Sequence, residues 1–97
     1  MNNAILVSAD DNVVVAIEKI NKGDTVNYLN KDNRPVACKA LNDIPIYHKC
    51  ALKNISKNEP VIKYGEHIGI ALCDIQQGEH VHDFNCEGRR ENLKEKE

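Results

Sequence analysis

No stretch of this chain sets lysine and arginine among aromatic side chains. Tryptophan is absent, phenylalanine occurs once, and thirteen basic residues against fifteen acidic ones leave a formal charge of −2. A nucleic-acid surface needs the opposite arrangement, so electrostatics point to no polyanionic partner. A membrane-crossing run is missing as well. The opening MNNAILVSADDNVVVAIEKI has no basic leader, and Asp10 and Asp11 interrupt its apolar residues well short of the roughly 20 that a bilayer span requires. The expectation is a soluble, cytoplasmic chain with no membrane partner. Nor is there a C-x-x-C pair: Cys38, Cys50, Cys73 and Cys86 stand apart, and in a cytosolic setting such thiols read as small hydrophobes rather than bridges. Length adds a last exclusion. A chain of 97 residues closes one small core that buries roughly 60–65% of its unfolded surface, which leaves no room for a large enzyme.

What the chain does contain is an internal repeat. AIEKINKGDTV (Ala16 to Val26), ALKNISKNEPV (Ala51 to Val61) and ALCDIQQGEHV (Ala71 to Val81) share Ala, then Ile or Leu, an Ile four places after the Ala, Gly or Asn at the eighth place and Val at the eleventh. The alanine, its apolar neighbour and the isoleucine fit one face of a single helical turn, which is too short to stand alone and must pack on something. Gly23, Asn58 and Gly78 tolerate φ > 0. Each copy is therefore expected to turn there and leave as an extended segment whose first inward residue is Val26, Val61 or Val81. Around the copies, NVVVAI is a β-branched run, TVNYLN and VACKAL alternate about the turn-former cluster NKDNRP, and VIKYGEHIGIAL reads as two strand pieces split at Gly65 and Glu66. The expected fold class is mainly β, made of short strands with short helical turns. Residues 1–86 form the domain. The segment 87–97 is almost entirely charged, with Leu93 its one large apolar residue, and reads as a frayed helix or disordered tail.

Histidine is the side chain whose ordinary pKa suits proton transfer near neutrality. His48 stands in a loop after NDIPIY, from which an imidazole can reach a cleft; its competing reading is a loop brace hydrogen-bonded to backbone. In GEHVHDFN, alternation along a strand puts His80 and His82 on one face, opposite Val81, with backbones about 6–7 Å apart. Two imidazoles so placed can converge on one metal ion, and Asp83, Cys86 or His48 could supply a third donor. The plainer alternative is a polar strand face touching substrate or a partner. His67 reads as exposed. Gly65 and Gly69 flank a bend where backbone can approach a ligand or simply turn, Tyr64 could set its hydroxyl at a cleft edge, and Lys49 and Lys63 could attract a carboxylate.

The segment IPIYHKCALKNISKNEPVIKYGEHIGIALCDIQQGEHVHDFN resembles the N-terminal SAF domain of altronate dehydratases, with the related D-galactarate dehydratases and the small subunit of sulfolactate sulfo-lyase. The likeness starts near DNVVVAIEKINKGDTV and runs to Asn85. Its most specific pieces are His48-Lys49 with Ala51-Leu52, the run from Ile62 to Gly65 through Ile68-Gly69 and Ala71, and Gly78 to His82 closing on Asn85. Tyr47 departs from the family, which usually carries Gly there. The resemblance implies a β-clip fold of short, strongly bent strands. It also implies company: a separate, much larger catalytic subunit, this chain being its small subunit or an excised domain. The implied reaction removes water across C2 and C3 of an aldonate or aldarate to give a 2-keto-3-deoxy acid, with iron (Fe2+) or manganese (Mn2+) held mainly by the large subunit. In that setting His48 is the catalytic acid, base or carboxylate-binding donor, and Lys49, Tyr64, Gly65, Gly69, His80 and His82 are substrate or partner contacts. A sulfo-lyase small subunit, with sulfite as leaving group, and a non-catalytic sugar-binding or assembly module are the alternatives. A small bent sheet also leaves strand edges to be covered by the tail, by self-association or by the large subunit.

Overall fold

A computed structural model describes residues 2–88. It is all strand and turn: β1 (Ala4–Ile5), β2 (Val13–Ala16), β3 (Thr25–Leu29), β4 (Pro35–Lys39), β5 (Lys49–Ala51), β6 (Pro60–Lys63), β7 (Glu66–Ala71), β8 (His80–Val81) and β9 (Cys86–Gly88). These pair antiparallel into a central sheet of order β1-β2-β5-β8, a β3-β4 hairpin and a β6-β7-β9 sheet. The mainly β fold expected from the sequence is what forms. Strand β9 runs to Gly88, two residues beyond the domain end expected at residue 86; the rest of the charged tail lies outside the described residues. Among the described residues, no helix is long and apolar enough to cross a membrane.

Strand β2, in the middle of the central sheet, is apolar on both faces because it divides two cores. Side chains alternate across a strand, so Val13 packs with Ala51, Ile55, Val61, Ala71, Ile75, Val81 and Cys86. Its neighbour Val14 packs on the other side with Ala16, Ile20, Val26, Tyr28, Ala40, Ile44 and Cys50. This is why VVVA shows no polar alternation: a strand covered on both faces has no solvent side.

The eleven-residue units are four, not three. ALNDIPIYHKC, Ala40 to Cys50, is the missing copy, with Tyr47 at the Gly or Asn place and Cys50 at the Val place. All four turns have φ > 0 at the eighth residue: +92° at Gly23, +71° at Tyr47, +76° at Asn58 and +94° at Gly78. In each the ninth amide donates to the sixth carbonyl, as in Asp24 to Asn21 at 2.9 Å and His48 to Pro45 at 3.0 Å, which fits a type II turn. The helical turns expected at Ala-x-x-x-Ile do not form. The isoleucines pair instead across copies, Ile20 with Ile44 and Ile55 with Ile75, each pair exchanging two backbone hydrogen bonds of 2.7–3.0 Å. Two clamps result, one per core. All four isoleucines are at most 1% exposed, and truncating one to alanine would cost about 2–5 kcal/mol.

Buried polar groups tie the outer sheet to the central one. Asn12 donates from Nδ2 to the Pro60 carbonyl at 2.9 Å and accepts the Ile62 amide at 2.8 Å. Asp11 accepts the amides of Ser8, Tyr64 and Gly65 at 2.8–3.1 Å. Such charge-assisted bonds are the stronger kind, and here they fix the tip of the β6-β7 hairpin.

Candidate functional site

Strands β5 and β8 pair with Lys49 opposite Val81 and Cys50 opposite His80. The same register, carried one residue further, sets His48 opposite His82. Alternation then puts His48, His80 and His82 on one face and Lys49 on the other. The rings meet there. His48 and His82 stack with centroids 4.3 Å apart, His80 and His82 lie nearly parallel at 5.5 Å, and His48 Nδ1 is 2.8 Å from His80 Nε2. Each of the three is half-buried, and one ring nitrogen from each lies within 4.8 Å of the others.

The backbone carrying these rings is pinned on every side. His48 follows the Tyr47 turn, and its carbonyl accepts the Ala16 amide at 2.9 Å. The His80 amide donates to Asn42 Oδ1 at 3.0 Å. Asn85, only 2% exposed, closes the loop after β8: its Oδ1 accepts the His82 amide at 2.9 Å and its Nδ2 donates to the His80 carbonyl at 2.8 Å. The conformation of GEHVHDFN thus depends on its final asparagine.

The electrostatics favour neutral rings at His48 and His80. Desolvation holds His48 below the usual imidazole range, helped by His82 and Lys49 and opposed by Asp83. Desolvation also lowers His80, with His48, His82 and Lys49 adding to it. A neutral imidazole carries one free electron pair, and each can therefore accept a proton, bind a metal or share a hydrogen bond with its neighbour.

The structure gathers His48, His80 and His82 and leaves the remaining candidates elsewhere. Lys49 is half-buried on the opposite face, its ammonium disfavoured first by burial and then by Lys63. Tyr64 and Gly65 form the β6-β7 hairpin tip, held by Asp11, with the Lys63 ammonium 4.8 Å from the Tyr64 ring centroid. A Cβ at Gly69 would lie 2.6 Å from both Cys86 Sγ and the Glu87 carbonyl oxygen, so packing against β9 accounts for that glycine. His67 is exposed on β7, as expected. Of the three donors considered beside His80 and His82, His48 is the one that arrives. Two residues of the site were not singled out from sequence. Asn42 is visible only through its hydrogen bond, whereas Phe84, 64% exposed and 5.4 Å from the His80 ring, sits inside the quoted octapeptide.

Comparison with known proteins places this geometry in a family context. The profile of the altronate/galactarate dehydratase SAF domain matches residues 2–89. The chain is 36% identical over 85 residues to altronate dehydratase of Bacillus subtilis strain 168, covering 88% of this chain and 16% of that protein. Against altronate dehydratase of Escherichia coli K12 it is 43% identical over 81 residues, 84% of this chain and 15% of that one. The (2R)-sulfolactate sulfo-lyase subunit alpha of Chromohalobacter salexigens is 35% identical over 88 residues, which span 89% of this chain and 94% of the relative. The chain thus spans about a sixth of the altronate dehydratases but nearly the whole of that subunit.

Proposed function

The chain belongs to the altronate/galactarate dehydratase SAF-domain family, and from that premise we propose that it is the small component of a hydro-lyase acting on an aldonate or aldarate, completed by a separate large catalytic subunit. The observation that carries this reading is the convergence of His48, His80 and His82 on one face, from two of the segments most specific to the family likeness. The reaction removes the proton at C2; the electron pair of that C–H bond becomes the C2–C3 double bond, and the C3 hydroxyl departs as water with a proton from an acid. The enol so formed ketonises to a 2-keto-3-deoxy acid. Its hard step is acidifying a carbon next to a carboxylate, which calls for stabilisation of the developing enediolate.

Among the roles open to His48, the geometry favours that stabilisation over proton abstraction. Its Nδ1 is engaged by His80 and its ring is stacked on His82, so the three imidazoles act as a unit rather than as one free base. Of the iron and manganese suggested by the family, ferrous iron fits this all-imidazole donor set, whereas manganese favours oxygen donors; bound there, the iron would supply Lewis-acid stabilisation of the carboxylate and 2-oxygen. Phe84, 64% exposed and 5.4 Å from the His80 ring, is suited to burial under the large subunit, as is Tyr47, 71% exposed in the turn that precedes His48, and such a cover would close the site to water.

A second reading is the small subunit of a sulfo-lyase, in which the C3–S bond breaks and sulfite leaves. It is favoured by the 94% coverage of the sulfo-lyase alpha subunit. Capture of partners on the tagged chain, followed by assay for 2-keto acid from altronate, galactarate and sulfolactate, separates the two. His48→Ala in the reconstituted complex should lower turnover at least tenfold with association intact. Unchanged turnover would leave a scaffold or sugar-binding module.

A further inference from the structure

We propose that His48, His80 and His82 form a metal site complete within this chain, which takes one divalent transition-metal ion without any contribution from a larger subunit. The family resemblance implies a metal held mainly by the large subunit, while the residues of this chain also offer His80 and His82 as ligands; the position of His48 beside them completes a set of three.

The first argument is distance. Metal–nitrogen bonds of about 2.0–2.1 Å set ligand nitrogens about 3.3 Å apart around a tetrahedral ion and about 3.0 Å apart at adjacent octahedral positions. His48 Nδ1 and His80 Nε2 are 2.8 Å apart, and a nitrogen of His82 completes a set within 4.8 Å. Modest side-chain rotations would open the pair and close the third arm. No strand has to move.

The second argument is rigidity. Ligands hold an ion well when their own supports are fixed. Here the His82 amide and the His80 carbonyl are tied by the two side-chain hydrogen bonds of Asn85, and the His80 amide is tied in turn to Asn42. The register of β5 against β8 fixes His48 between them. A polar strand face in ordinary contact with solvent needs no such bracing.

The third is donor chemistry. Three imidazoles with no carboxylate among them suit zinc, ferrous iron, cobalt or nickel over magnesium or calcium. Three protein ligands also leave coordination positions open, as in metal sites that bind substrate. The exposed carboxylate of Asp83 is close enough to act on His48 and adds attraction for a cation, while the Lys49 ammonium, on the far face, works against it.

The test uses the full untagged chain, stripped with chelator and titrated with cobalt(II), with bound metal counted by equilibrium dialysis. The expected result is one cobalt per chain and a visible absorption band that zinc(II) abolishes by displacement. His48→Ala, His80→Ala and His82→Ala should each weaken binding at least tenfold, and His67→Ala, on β7 away from the cluster, should leave it unchanged. Far-ultraviolet circular dichroism checks that each variant folds, and His82→Gln serves in place of any that does not. Absence of stoichiometric cobalt, or equal loss in His67→Ala, would overturn the site. Neither substrate nor partner enters the measurement, so its failure is distinguishable from failure of the lyase reading.

Discussion

At Gly78 and at Tyr47 the chain makes the same turn. The amide of each donates to the leading alanine carbonyl of another copy, Ala51 at 2.8 Å and Ala16 at 2.7 Å, and φ is +94° and +71°. Both turns feed a strand of the histidine site, β8 and β5. Yet a Cβ at Gly78 would run into the Lys39 carbonyl oxygen, while Tyr47 holds a large side chain out in solvent from a backbone conformation that costs an L-residue about 1–2 kcal/mol. One turn is fixed by packing and the other departs from the rule without being forced to. Local strain of that kind is expected where a protein retains something other than stability, and here it directly precedes His48.

The widest difference to be forced between these turns comes from adding a methyl group. Gly78→Ala should lower stability by about 3 kcal/mol or more, because left-handed strain is joined by a backbone clash. Gly23→Ala has φ of +92° but nothing within 4 Å of the added carbon, and should lose only about 1 kcal/mol. Urea unfolding of the two variants measures both. Equal losses would show that backbone strain alone governs the turn.

Tyr47→Gly probes the other side of the contrast. Glycine removes the strain, and with Tyr47 71% exposed little burial is given up, so stability should rise by up to about 1 kcal/mol after the extra entropy of the unfolded glycine is counted. In the reconstituted complex the same variant should lose turnover. A stabilised chain with full turnover would make Tyr47 neutral variation and remove the link between strain and site.

The second copy departs from its siblings once more at Cys50, which occupies a valine place in the core. Burial pushes this thiol from 9.0 up to about 12, with Cys38 adding to the shift. The unfolded chain releases that proton above about pH 9 and the folded chain does not. Stability is therefore expected to fall as pH rises from 9 toward 12. Cys50→Val should flatten that alkaline limb, leaving the smaller slope of Cys38, Cys86 and Tyr28, which burial shifts in the same direction. Near neutrality the swap should change stability by less than about 1.5 kcal/mol. Unfolding midpoints from pH 7 to 11 test it.

These departures also mark where the sequence stopped being legible. Three copies were readable because Gly or Asn and Val recur at fixed places; the second was hidden because Tyr47 and Cys50 replaced both signals. The alternation that puts His80 and His82 on one face is local and could be read. The arrival of His48 depends on the pairing of β5 with β8, whose histidines are 32 residues apart, and no local period encodes that register. The Ala-x-x-x-Ile spacing suggested a helical turn for a related reason. It satisfies one face of a helix, but the decisive hydrogen bonds run to the isoleucine of another copy. A segment cannot announce a partner that lies 20 or more residues away.

The smallest effect concerns the clamps themselves. The fourth residue of three copies caps the paired copy: Asp43 Oδ1 accepts the Lys22 amide at 2.8 Å, Asp74 Oδ1 the Lys57 amide at 2.9 Å and Asn54 Oδ1 the Gln77 amide at 2.9 Å. In the first copy the same place is Lys19, whose ammonium donates and cannot accept, so the Ile46 amide lacks the cap its three counterparts have. Lys19→Asp should supply it and raise stability by about 0.5–1 kcal/mol, read as a small rise in the urea midpoint at unchanged slope. The same substitution introduced beside Asp74→Ala, which removes the acceptor of the Lys57 amide, should give an equal gain, because the two clamps grip separate cores. A gain that depends on the other clamp would mean that the two halves yield together.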